Sequence, residues 1–427
     1  MCLSPPTITM KFHGAAVELP NGKTTSTDIP KHVFQVAVVL IFLTILPLCI
    51  NRNNPRSPLP SPKIEDDHGL SLRSRGFDKK CDIFTGNWIP FPEGPYYTNA
   101  TCNLMIDQQN CMKFGRPDTE FLKWRWKPDE CELPLFDALQ FLELVRGKSI
   151  AFVGDSVGRN QMQSLLCLLA SAVYPEDISE KYTSDINFKR WFYADYNFTV
   201  ATLWSPFLVK ASDADPNGHS YNSIMNLYLD KVDEAWATQV TKFDYVIISA
   251  GQWFFRPLMF YENGQLVGCF KCQQENVTDL THYYGYRKAF RTAFRSLKDY
   301  KGVTILRTFS PAHFENGDWN KGGNCVRTRP FSKEGLKVDQ YVWEMYFTQM
   351  EEQRAAAKEG RKRGLQFGLL DTTEAMLLRP DGHPNHYGHS PQRNVTLADC
   401  VHWCLPGPID TWNEFLLYNL KGGQKNA

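Results

Sequence analysis

Residues Lys148–Ala172 read KSIAFVGDSVGRNQMQSLLCLLASA, and the fold turns on them. Ser149–Val153 is a short apolar run rich in β-forming residues, and Gly154-Asp155-Ser156 is a tight turn. Beyond Gly158 the apolar residues Met162, Leu165, Leu166 and Leu169 recur at i, i+3, i+4 and i+7, one face of a helix. Strand, sharp turn, hydroxyl and helix together lift a serine clear of a sheet edge. They also set Ser156 near a helix N-terminus, where free N–H groups favour developing negative charge. A serine at that place is a nucleophile or an N-cap. This stretch alone leaves both open.

A chain of 427 residues with 43% hydrophobic content has room for one large globular domain or two. Lys+Arg 47 against Asp+Glu 46 leaves a formal charge of +1, so no strong field invites nucleic acid as a partner. Aromatic residues make up 13%, which serves core packing first but also suits surfaces that stack on sugars.

Residues 1–32 are polar and aperiodic and read as a cytosolic tail. Residues 33–50 (VFQVAVVLIFLTILPLCI) are apolar except for Gln35 and Thr44, about the minimum length for a membrane span. A cleaved signal peptide competes, but the run follows a long tail and leads into Asn51-Arg52-Asn53-Asn54 rather than small residues. A signal anchor fits better. Flanking charge does not orient it, with Lys11, Lys23 and Lys31 before and Arg52, Arg56 and Lys63 after. The glycosylation sequons at Asn99, Asn197, Asn276 and Asn394 all follow the span, as do ten of the 12 cysteines. The expectation is a single-pass type II membrane protein with a lumenal body. Residues 51–78, rich in Pro, Ser, Asn and charge, read as a flexible stem.

Residues 79–134 carry Cys81, Cys102, Cys111 and Cys131 among Trp, Pro and Gly with little periodicity, the pattern of a disulfide-stapled lobe. Cys269-Phe-Lys-Cys272 has zinc spacing but no second pair, so a disulfide or paired thiols fit better. Residues 135–421 turn α/β. Phe136–Val145, Tyr286–Tyr300 and Val338–Glu359 read as helices; Tyr245–Ser249, Val303–Arg307 and, more weakly, Gln366–Leu370 read as strands. That alternation predicts a mostly parallel sheet flanked by helices, and residues 422–427 a tail.

Gly154–Gly158 satisfies the G-x-S-x-G elbow of α/β-hydrolases. The matching acid and base sit in Asp399-Cys400-Val401-His402-Trp403-Cys404. An acid three residues before a histidine reaches the same face of a turn or helix. There Asp399 can fix the tautomer of His402 while the imidazole faces Ser156. Cys400 and Cys404, if oxidised, would staple this loop. Acid and base arrive together, far downstream of the serine, rather than from separate loops as is usual in the α/β-hydrolase fold.

GDSVGRNQ, SPAHFENGDWNKGGNC (Ser310–Cys325) and DCVHWCLPGPIDTWNE (Asp399–Glu414) resemble the plant trichome-birefringence-like family of polysaccharide O-acetyltransferases. SAGQWFFRP (Ser249–Pro257) and RTFSPAHFENGDWN are most similar to the branch linked to xyloglucan. The resemblance implies an SGNH/GDSL-hydrolase-like body behind one signal anchor in the Golgi membrane. It implies Ser156 as nucleophile, His402 as general base and acid, and Asp399 as orienting carboxylate, with the acetyl group passing through an acetyl-serine. No bound cofactor is implied. An acetyl donor is required, acetyl-CoA or another carrier, and an acetyl-supplying membrane protein is a candidate partner. The implied acceptor is xyloglucan, with xylan, mannan and pectin as alternatives. An acetyl-esterase would use the same triad, and a non-catalytic glycan-binding protein would use the same fold. The implied disulfides are Cys81–Cys131, Cys102–Cys167 and Cys325–Cys400. On pattern alone Cys167 reads as a buried free thiol, and Cys111, Cys269, Cys272 and Cys404 are left without assigned partners.

Where many members read Asn-Thr-Gly-His-Trp-Trp, this chain has Ser249-Ala250-Gly251-Gln252-Trp253-Phe254. The usual asparagine is thus Ser249 and the usual histidine Gln252, so any oxyanion donor from this loop differs from the family's. The expected oxyanion and substrate-binding residues are Gly154, Asp155, Arg159, Asn160, Gly251 and Gln252, with the Ser156 N–H as first donor and Arg159 and Asn160 second, any one donor contributing about 3 kcal/mol. Arg159 and Asn160 read equally well as ligands of neighbouring carbonyls. His383, His386 and His389 share one segment, but Pro384 and Gly388 keep them off a common helix face, so no metal is expected. Trp319, Trp403 and Trp412 read as packing before glycan platform. Asp410 and Glu414 read as helix-end charges.

Overall fold

Ser149–Gly154 becomes the centre strand of a seven-stranded sheet. The computed structural model describes residues 81–215, 222–393 and 397–424. The expected tail 1–32, anchor 33–50, stem 51–78 and sequon Asn394 lie outside them. Among the described residues no helix is long and apolar enough to cross a membrane.

In chain order the strands are β1 (Gly86–Pro90), β2 (Trp124–Pro128), β3 (Ser149–Gly154), β4 (Glu176–Asp177), β5 (Lys189–Tyr193), β6 (Phe198–Trp204), β7 (Val209–Asp213), β8 (Met225–Val232), β9 (Tyr245–Ser249), β10 (Leu258–Glu262), β11 (Gln265–Phe270), β12 (Val303–Arg307) and β13 (Gln366–Leu370). The helices are α1 (Ala138–Leu144), α2 (Ser156–Ala170), α3 (Glu234–Ala237), α4 (His282–Ser296), α5 (Gln340–Arg361), α6 (Thr373–Leu377) and α7 (Asp410–Gln424).

The main sheet runs β13-β12-β9-β3-β6-β5-β4, parallel from β13 to β6. β5 and β4 extend it antiparallel. A second, mixed sheet of order β11-β10-β8-β7 has only its β10–β8 pair parallel, and it was not expected. Its strands VKASD and MNLYLDKV mix polar and apolar residues and bury few of them. They therefore lack the continuous apolar runs that announce β3, β9 and β12, which are covered on both faces.

Side-chain alternation along β3 divides the core in two. Ile150 and Phe152 join Ile247, α2, α7 and the N-terminal residues in one cluster. Ala151 and Val153 join Val246, Ile248, α4, α5 and the second sheet in the other. Helix α2 is buried almost all round rather than on one apolar stripe, so Gln161, Gln163 and Ser164 are inside too. The described residues form one compact unit. Within it the N-terminal residues are tied down by the β1–β2 pair, by Trp88 Nε1–H donating to Ala375 O at 2.8 Å, and by disulfides.

The parallel strands all end on one edge. The turn after β3, Gly251–Phe255 after β9 and Ser310–His313 after β12 meet there, the usual place for a site in such a sheet.

Candidate active site

Gly154 makes the turn possible. Its φ is +146° and a Cβ there would lie 1.5 Å from Ser249 O, so only glycine lets β3 and β9 finish so close together. Asp155 is the N-cap of α2, its carboxylate accepting the Val157 N–H at 3.0 Å. Ser156 is therefore the first helical residue and not the cap. Its backbone N–H is one of the amides that the helix cannot satisfy from within.

The Ser156 hydroxyl instead meets His402, with Oγ 2.7 Å from Nε2. On the far side of the ring, Nδ1 lies 2.8 Å from Asp399 Oδ2, and Asp399 Oδ1 accepts the backbone N–H groups of Val401 and His402 at 3.1 and 3.0 Å. A carboxylate only accepts, so Nδ1 carries the ring proton and Nε2 is left to accept from Ser156. Burial alone would raise Asp399, but the charge of His402 and three hydrogen bonds outweigh it and hold Asp399 at about 2. Burial likewise pulls His402 down; attraction and hydrogen bonding to Asp399 overcome it, and His402 titrates above its usual 6.5.

The loop carrying this acid and base has no regular secondary structure, and long-range links hold it. Asp399 pairs with Asn385 in an isolated two-residue bridge, both N–H···O distances being 2.8 Å. Cys400 is bonded to Cys325 and Cys404 to Cys111, so the loop is stapled on both sides of His402. Cys81–Cys131, Cys102–Cys167 and Cys269–Cys272 complete the disulfides found among the described residues. Cys167 is thus no free thiol.

Several expected site residues have other tasks. Asn160 is fully buried; its Oδ1 accepts the Trp403 N–H at 2.7 Å and its Nδ2 donates to Trp403 O at 3.2 Å. It fixes the His402 loop to α2 through the Trp403 peptide. Asp155 is committed to its cap, and a carboxylate cannot stabilise an oxyanion. Gln252 donates to Ser310 O at 2.8 Å, tying the β9 loop to the β12 loop. A Cβ on Gly251 would strike the Phe309 ring at 2.6 Å, so that glycine permits a close approach. Arg159 stands over the Trp204 ring at 5.5 Å, half-buried, with burial lowering its pKa and Asp155 opposing that shift. It is also close enough to lower His402.

Trp403 and Trp412 are fully buried and Trp319 is half-buried. Asp410 and Glu414 are more than helix-end charges, because both are buried. Asp410 accepts from Tyr97 at 2.8 Å and Ser164 at 2.6 Å, and Glu414 accepts from Tyr96 at 2.5 Å. They clamp the N-terminal residues to α7 and α2. Among the described residues no group of three His, Cys, Asp or Glu side chains is placed to hold a metal. Asn99, Asn197 and Asn276 are exposed.

Sequence reading missed Ser310, whose carbonyl takes Gln252 and whose hydroxyl accepts the Trp403 indole N–H at 3.0 Å. It missed Arg116 as well, which donates to the carbonyls of His383 and Asp381 at 2.8 and 2.6 Å. A serine in Ser-Pro and an arginine in a loop carry no local signal of such roles.

A serine at the sheet's carboxyl edge, with an acid and a histidine from one downstream loop, defines the SGNH class of acyl-group enzymes. Two family descriptions match the chain: "GDSL/SGNH-like Acyl-Esterase family found in Pmr5 and Cas1p" over residues 133–419, and "PMR5 N terminal Domain" over residues 79–132. The chain belongs to this PC-esterase family. It is 55% identical to protein trichome birefringence-like 19 of Arabidopsis thaliana, over 80% of this chain and 81% of that protein. It is 46% identical to xyloglucan O-acetyltransferase 4 of Populus trichocarpa, over 83% and 84%. To xyloglucan O-acetyltransferase 2 of Arabidopsis thaliana it is 41% identical, over 84% and 86%.

Proposed function

We propose that this protein transfers an acetyl group through an acetyl-Ser156 intermediate to a hydroxyl of a cell-wall polysaccharide, xyloglucan being the favoured acceptor. The observation that carries the reading is the continuous relay Ser156–His402–Asp399, with contacts of 2.7 and 2.8 Å. The Ser156 Oγ attacks the acetyl carbonyl carbon while His402 Nε2 takes its proton. The tetrahedral oxyanion is met by the Ser156 N–H and by Arg159. Collapse expels the donor's leaving group, which receives the proton from His402. A sugar hydroxyl then attacks acetyl-Ser156, gives its proton to His402, and leaves as the acetyl ester while the proton returns to Ser156.

The xyloglucan assignment rests on the names of the relatives. Anchoring through residues 33–50, a lumenal Golgi body, glycans at Asn99, Asn197, Asn276 and Asn394, and acetyl supply by a membrane protein or acetyl-CoA belong to the same proposal. The acyl-esterase description of the family favours a second reading, hydrolysis at the same serine. Transfer requires that positioning and water exclusion let a sugar outcompete water. Full-length protein given an acetyl donor, with and without xyloglucan, xylan, mannan or pectin oligosaccharides, separates the two by mass spectrometry. Ester appearing on xyloglucan, lost by about 10⁴-fold or more in Ser156→Ala, is the expected outcome. Acetate released at one rate whatever the acceptor would make the protein an esterase.

A further inference from the structure

Of the three histidines in Asp381–His389, His383 sits against the base loop. Its Nδ1 is 2.7 Å from the backbone carbonyl of His402, and its ring stacks on Trp403 with centroids 4.1 Å apart. Its Nε2 is 2.7 Å from His313 Nδ1, and His313 Nε2 is 3.2 Å from Leu377 O. His383 is 1% exposed.

The directions of these bonds follow from the two ends. A carbonyl oxygen only accepts, so His383 Nδ1 must carry a proton. In a neutral ring its Nε2 then has a lone pair, and His313 must donate from Nδ1. Two neutral rings between two carbonyls have two N–H protons for three contacts, so one contact goes without, and His313 Nε2, left bare here, makes the longest of the three. Protonating it would mend that contact but leave a cation in the interior. The charged groups around the pair are Arg116 (paired with Asp118), the buried Arg379–Asp381 pair, and Asp399. Burial holds His313 at about 4 and His383 well below its usual value, which keeps both rings neutral.

We infer that His313 and His383 form a neutral, one-directional hydrogen-bond strut that positions His402 by holding its backbone carbonyl. Both are positioning residues. Neither touches Ser156, and the role rests on His402 being the base proposed above. Asp399 sets the ring's tautomer, and the strut sets where the ring's own peptide lies, so Nε2 meets Ser156 only when both hold.

The test uses full-length protein and 4-nitrophenyl acetate, reading acetylation of Ser156 by intact mass across pH. His383→Phe keeps a ring on Trp403 but removes the donor. It should slow acetylation about 10–100-fold at unchanged half-saturation and displace the His402-dependent pH limb. His383→Asn, whose amide can still donate to His402 O, should recover to within about 3-fold of the unsubstituted rate. Equal impairment of both variants, or no impairment in His383→Phe, overturns the strut. No Ser156-dependent labelling in the unsubstituted protein overturns the nucleophile reading instead, and the strut with it. Should the variants fold poorly, ¹⁵N NMR of the unsubstituted protein decides: both rings should read as Nδ1–H tautomers at pH 7. An Nε2–H tautomer or an imidazolium at either ring refutes the proposal.

Discussion

Ser156 and His402 touch, yet opposite means hold them. The serine stands on consecutive residues: a buried strand, a glycine with no room for a Cβ, a capping aspartate and a helix, all within Ser149–Ala170. The histidine lies in an irregular loop fixed from outside itself, by Cys111, Asn160 and Cys325 far away in sequence and by His383 and Asn385 nearer to it. One half of the site is local and made by the backbone. The other is a convergence of side chains and cross-links, so the two halves should fail differently when perturbed.

The largest difference is expected at Asp399. Asp399→Asn leaves the Ser156 turn intact but lets the wrong nitrogen of His402 carry the proton, and acetylation should fall by about 10³–10⁴-fold. Because Asp399 holds His402 above 6.5, the unsubstituted rate should rise with pH through a midpoint above that value. In the variant the midpoint should move lower. A pH series of intact-mass labelling checks both.

Next in size is the staple beside the base. Replacing Cys111 and Cys404 together by serine should cost about 2–5 kcal/mol of stability in denaturant unfolding and slow acetylation about tenfold or more. The pair Cys81 and Cys131, treated alike, should destabilise but leave the rate of the surviving folded protein within about 3-fold. Equal rate losses would deny the base loop its special dependence on cross-links.

The smallest effect concerns the clamp behind both halves. Burial lifts Asp410 from 3.8 to about 6 and Glu414 from 4.5 to about 7. The fold therefore binds these protons more tightly than the unfolded chain does. Their contribution to stability is greatest below about pH 4, declines as pH rises to about 7, and is level beyond. Glu414→Gln should flatten the upper part of that decline, by on the order of 1–3 kcal/mol between pH 5 and 8. Thermal unfolding of both proteins across that range checks it.

This division also explains what could be read from sequence. The Ser149–Val153 strand, the turn, and the strands Tyr245–Ser249 and Val303–Arg307 were legible because burial on both faces writes continuous apolar runs. Asp399 and His402 are legible because an acid three residues before a histidine falls near the domain's end, downstream of the strand, GDS turn and helix; the spacing alone is a weak signal. For Asn160 the sequence leaves two tasks open, since an amide one turn beyond Ser156 looks the same whether it faces substrate or the Trp403 peptide, and the structure shows the second. Asp410 and Glu414 read as helix-end charges, and no local signal says that they are buried, because their tyrosine partners, Tyr97 and Tyr96, lie more than 300 residues away. The second sheet stayed hidden because half-polar strands have no distinctive period.

The bond between Cys111 and Cys404 spans 293 residues, and this orders assembly in time. During synthesis Cys111 emerges long before its partner leaves the ribosome, whereas Cys81 and Cys131 can join early. Any premature pairing of Cys111 would have to be undone before the His402 loop could dock. Thiol–disulfide exchange in the compartment of folding thus becomes a condition for docking the His402 loop, and the output of folded protein should track isomerase supply more closely than it tracks translation.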